Sequence, residues 1–99
     1  MLQEVFELMI QVNKDKKIAC VGLTDGSKIE RQLLNDGNHE TKICVELENV
    51  DIGFATFSKK TKASYIYNDQ ITGETNKETT VAIPYSNISY MEFTDEEDS

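Results

Sequence analysis

Ile18-Ala19-Cys20-Val21-Gly22-Leu23-Thr24-Asp25-Gly26-Ser27-Lys28-Ile29-Glu30-Arg31-Gln32-Leu33 decides the fold class of this chain. An alternating apolar run meets Asp-Gly, and a second alternating run follows it. Glycine tolerates the positive φ that tight hairpin turns demand, so the stretch predicts antiparallel strands over 17–24 and 28–34. The first should bury Ala19, Val21 and Leu23 on one face, and the second Ile29 and Leu33.

Toward the N-terminus, Leu2, Val5, Phe6 and Met9 fall at i, i+3, i+4 and i+7, which predicts a short helix over 2–11. Phe6, Leu8, Ile10 and Val12 also alternate, so a strand stays open there. Residues 13–16 read as a polar connection. Toward the C-terminus, Asn35-Asp36-Gly37-Asn38-His39 is a turn, and Ile43, Val45 and Leu47 form a third strand whose wet face carries Cys44, Glu46 and Glu48. Gly53 bends the chain ahead of Phe54-Ala55-Thr56-Phe57. Tyr65-Ile66-Tyr67 and Thr79-Thr80-Val81 pair as a protruding hairpin around a loop at 68–77. Val81-Ala82-Ile83, a Pro84-Tyr85-Ser86-Asn87 turn and a strand over 88–93 complete the pattern.

Ninety-nine residues make one domain, able to bury roughly two thirds of the chain's surface. The net charge is −8, from 18 acidic and 10 basic residues, and Asp95, Glu96, Glu97 and Asp98 supply half of that excess. The segment 94–99 therefore reads as a disordered acidic tail. An acidic body argues against an electrostatic grip on nucleic acid. No apolar run approaches the roughly 18 residues of a membrane span, so no membrane role is expected. With no export signal, Cys20 and Cys44 read as reduced thiols in a cytoplasmic protein, small semi-buried side chains rather than a redox pair. The Asn87-Ile88-Ser89 sequon reads as chance.

Taken together, the helix, five strongly bent strands, the Asp-Gly turn between the first two, and the last strand after a tight turn resemble an Sm-like domain. Val21-Gly22-Leu23-Thr24-Asp25-Gly26 with Ile29 through Leu33 is similar to the family's first motif, and Ile83-Pro84-Tyr85-Ser86-Asn87-Ile88 to its second. The resemblance implies a mainly β, small five-stranded Sm-like or SH3-like barrel over residues 1–93. It also implies a homo-oligomeric ring, with edges at 79–83 and 89–93 pairing between subunits. Cys44 stands where the family has an RNA-contacting Asn, and Pro84-Tyr85 where it has Arg-Gly. RNA binding is therefore disfavoured.

Candidate ligand residues are few. Tyr85 and Asn87 sit where the family approaches its ligand: Tyr could stack on a base while Asn reads an edge. The alternative packs Tyr85 and Tyr90 at a subunit interface. Lys59, Lys60 and Lys62 with Tyr65 and Tyr67 combine positive charge with stacking faces, against the plainer reading of a solvated loop and strand. Lone His39 is a solvated turn residue. No metal-ligand spacing, cofactor motif, phosphate loop or nucleophile constellation appears, so no enzyme is expected. The leading expectation is a non-enzymatic oligomeric binding module for a protein or a small nucleotide-like ligand at a subunit interface. Its rival is a small acidic inhibitor, of the kind viruses encode against host defence, directed at a basic nucleic-acid-handling enzyme.

Overall fold

The computed structural model describes residues 1–95 as one helix, seven strands and a 3₁₀ turn. Helix α1 spans Gln3–Val12, and the strands are β1 Lys17–Leu23, β2 Lys28–Glu30, β3 Gln32–Asn35, β4 His39–Val50, β5 Phe54–Tyr67, β6 Gln70–Pro84 and β7 Ile88–Thr94. The protein is mainly β, with a strongly curled half-barrel sheet and one short N-terminal helix. Thr94 closes β7, so the expected tail begins inside a strand, and beyond Asp95 it lies outside the described residues.

At the base of the sheet five strands lie side by side in the order β7-β1-β4-β5-β6. All pairings are antiparallel. The expected second strand does not join them as one piece. It breaks at Arg31: β2 runs along β1, and β3 runs along β4. The two form a V whose apex is held by the Arg31 N–H donating to the Ala19 carbonyl at 2.9 Å, beside the Ile18–Val45 pair where β1 meets β4. Leu33, placed in the core by alternation, is accordingly 62% exposed, because β3 belongs to an outlying part of the sheet. Ile29 does pack against the core.

The Asp-Gly turn forms as its residues demand. Gly26 takes φ +89°, and the Asp25 carboxylate accepts from the Ser27 N–H at 2.9 Å and its hydroxyl at 2.6 Å. Those bonds hold the Asp25 carboxyl below the usual carboxylate range. A register shift between Ile18 and Cys20 inserts Ala19 as a bulge. Alternation is therefore reset, and the core takes Ile18 and Val21 instead of the expected Ala19 and Val21. On the other face, the Tyr90 ring lies directly over Gly22, so close that any Cβ there would collide with it.

The core sits under α1. Phe6, fully buried, meets Phe57 edge-on at 6.2 Å between centroids and Tyr85 at 4.9 Å. Ala55, Phe57 and Ile83 from β5 and β6, Val45 from β4, and Ile88 and Met91 from β7 complete it. The Met1 nitrogen donates to the Tyr85 and Ile88 carbonyls at 2.8 Å each, tying the helix to the 3₁₀ turn Tyr85–Asn87.

Beyond this base, β4, β5 and β6 continue as a long blade flanked by β3. It makes the molecule 50 × 23 × 22 Å, with a radius of gyration of 15.3 Å, against about 13 Å for a compact chain of this length. Strand β4 begins at His39, earlier than the expected Ile43. The expected loop at 68–77 is mostly strand, and the turn shrinks to Asn68 and Asp69 between the paired Tyr67 and Gln70.

Candidate functional site

The five residues singled out in the sequence do not come together: only Lys60 and Lys62 share a face. Tyr85 is 3% exposed. Its ring packs on Phe6 and its hydroxyl donates to the Asp51 carbonyl at 2.8 Å, so it is a core residue with a satisfied polar tip. Burial is the main cause that pushes its phenol above the ordinary value. Asn87 is exposed at the end of the 3₁₀ turn, and its carbonyl accepts from the Thr24 N–H at 2.9 Å. One residue faces inward and the other outward, so they do not converge on a ligand.

Lys60 and Lys62 share one face of the blade. Register places Lys60 between Cys44 and Glu78, and Lys62 between Lys42 and Asn76. Each is already paired: Lys60 with Glu46 at 2.9 Å and Lys62 with Glu74 at 2.8 Å, and both carboxylates raise the ammonium pKa. A shallow groove of about 420 Å³ runs over this face. Tyr65 is an odd number of residues from both lysines, so strand alternation turns it to the opposite face. There it meets His39, across from it in register, at 5.0 Å between rings.

His39 starts β4 and leans on Asp36, with Nδ1 3.5 Å from Oδ2. The Asp36 carboxyl, accepting the Asn38 and His39 N–H groups at 2.9 and 2.7 Å, is held below the usual range. Neither cysteine is in a disulfide among the described residues. Cys20 is buried, with Sγ 3.8 Å from the Tyr90 hydroxyl. Among the described residues no cluster of His, Cys, Asp and Glu has metal-binding geometry.

One cavity was not visible in the sequence. It measures about 280 Å³ and opens where the end of α1, the start of β1, the apex at Arg31, and strands β4 and β7 meet. Ile10, Ile18, Val45, Leu47 and Phe93 supply apolar wall, and Lys14, Lys16, Lys17 and Arg31 supply the charge. The one sequence signal was Asn13-Lys14-Asp15-Lys16, which reads as nothing more than a polar connection.

Comparisons with protein-family models, curated proteins and solved structures found no match to this chain.

Proposed function

We propose that this protein is a non-catalytic binding module of Sm-like type that assembles with copies of itself, edge to edge. The observation that carries this reading is the pair of open edges. At the base of the half-barrel, among the described residues, β7 pairs only with β1 and β6 only with β5, leaving an unpaired strand edge at each end of one curled sheet. Unpaired edges are templates for further pairing, and joining β6 of one copy to β7 of the next removes both. The two edges differ, so the contact is head-to-tail, and with suitable curvature it closes as a ring. A protein or a small nucleotide-like ligand at the junction remains part of the proposal. Asn87, exposed between the two edge strands, is the sequence candidate best placed for it.

Native mass spectrometry of the untagged protein and two proline variants test the assembly. Thr79 and Thr80 are consecutive exposed residues on β6, so their N–H groups point to opposite sides of the strand. Proline at the outward position removes a donor from the edge and leaves the β5 ladder intact. The expected result is a closed oligomer for the natural protein and a folded monomer for whichever of Thr79→Pro and Thr80→Pro keeps its circular dichroism. A natural protein that is monomeric at all concentrations, or a folded proline variant that still assembles, overturns the reading.

A further inference from the structure

We infer that the cavity between α1, β1, β4 and β7 is a binding site for a small organic anion with an apolar ring body. The inference deepens the binding-module reading and rests on it only for binding rather than chemistry. The cavity is built within one chain, so it survives a failure of the assembly.

Charge placement is the first argument. The chain carries −8, yet Lys14, Lys16, Lys17 and Arg31, four of its ten cations, line this one opening. Lys17 and Arg31 are also engaged with other groups, so among the described residues the cationic surface left to a ligand is that of Lys14 and Lys16, both exposed. The one carboxylate in the lining, Glu46, is paired with Lys60 at 2.9 Å and faces the blade groove as well. Asn13, between helix and lysines, has its side-chain amide turned back to the Met9 carbonyl at 2.9 Å. The rim therefore offers anion-binding donors, whereas the surface at large repels anions.

The walls are the second argument. Ile18 and Val45 are nearly buried, and Ile10, Leu47 and Phe93 are core-packed residues that keep part of their surface open to this space. An inorganic anion would leave that apolar wall wet, and a neutral hydrocarbon would leave the lysines unused. A ring body carrying a carboxylate, sulfonate or phosphate satisfies both. For scale, a cavity of about 150 Å³ accommodates benzene, so 280 Å³ suits roughly one to two rings. Sites of this kind, mostly apolar with a few convergent polar groups, are the usual small-ligand design.

The test uses three probes on the full chain: naphthalene-1-sulfonate, inorganic phosphate, and neutral naphthalene methanol, each titrated calorimetrically. The expected result is saturable binding of the sulfonate at one per chain, with the other two at least tenfold weaker. Lys14→Glu with Lys16→Glu should weaken the sulfonate at least tenfold. Lys62→Glu with Lys77→Glu changes net charge by the same amount on the blade, and should leave affinity within about threefold. Ile10→Trp, which fills the cavity without touching a charge, should abolish binding while the thermal transition is retained. The inference is overturned if no saturable binding occurs, if phosphate alone matches the sulfonate, or if the blade reversal weakens binding as much as the rim reversal. Native mass spectrometry of the same samples reads assembly separately, so the two proposals fail independently.

Discussion

Tyr85 shows how one side chain can satisfy two demands at once. Its ring fills the space beside Phe6, and its hydroxyl reaches the Asp51 carbonyl at 2.8 Å, so burial leaves no orphaned polar group. Tyr85→Phe should cost about 1 kcal/mol, the net worth of one hydrogen bond, whereas Tyr85→Ala should cost about 3–5 kcal/mol through the cavity it leaves. Urea denaturation at unchanged m-value checks both. The same burial sets a pH dependence. Folding raises the phenol's pKa, so its contribution is fully present below the unfolded value near 10 and is lost as pH climbs through the folded value. An alkaline titration at 295 nm should show Tyr85 and Tyr90 ionising above the ordinary range, and Tyr85→Phe should remove the part of that step that coincides with unfolding. Alternation alone did not reveal this residue's inward orientation, because Pro84 and the 3₁₀ turn interrupt the strand before the parity of β7 begins.

At the scale of elements, the β5–β6 hairpin was expected, but not its length or register: Tyr65 pairs with Gly73, and Thr79 with Lys59. Its two-residue turn puts both Asn68 and Asp69 at positive φ, 51° and 62°, a type I′ conformation whose twist matches that of the flanking strands. Asparagine suits the first position, but glycine is preferred at the second. Asp69→Gly should therefore stabilise the tip by roughly 0.5 kcal/mol and Asp69→Ala destabilise it by about 1 kcal/mol. Amide exchange at Tyr67 and Gln70 reads the local change, and equal rates in the two variants would remove the argument. Helix α1 was legible from its apolar spacing, and the Asp-Gly hairpin from its turn residues. The length of β5 and β6 was not, because Lys, Thr, Glu and Asn alternate on a two-sided solvated blade without an apolar face to betray the period.

Across the whole molecule, stability should be graded along the 50 Å axis. The base holds Phe6, Val21, Phe57 and Ile88, all fully buried, whereas the blade leaves Leu33, Leu34, Tyr65, Tyr67 and Ile71 between 49% and 69% exposed. Local opening follows buried apolar contact, so amides at 63–67 and 71–75 should exchange far faster than those at 55–58 and 81–83. Uniform protection along β5 and β6 would contradict that gradient. The grading also separates roles. The base carries the strands of the proposed edge pairing and the walls of the cationic cavity, and the blade presents its paired lysines and glutamates on a long solvated surface.

The edges at 79–83 and 89–93 were expected from the resemblance alone; what the sequence determined by itself was local: a mainly β chain, the Asp-Gly turn, and an apolar spacing that favours a helix over a strand at 2–11. Those follow from backbone preferences and short-range periodicity, which neighbours in sequence suffice to express. Tertiary structure decided the rest. The bulge at Ala19 moved Ile18 into the core, the break at Arg31 split a strand into a V, and alternation put Tyr65 opposite Lys60 and Lys62. The cavity at Lys14 and Lys16 exists only because residues as distant as Ile10, Arg31, Val45 and Phe93 converge there. Such convergence is set by strand pairing and bulges summed over the sheet, and no single stretch of the chain contains it.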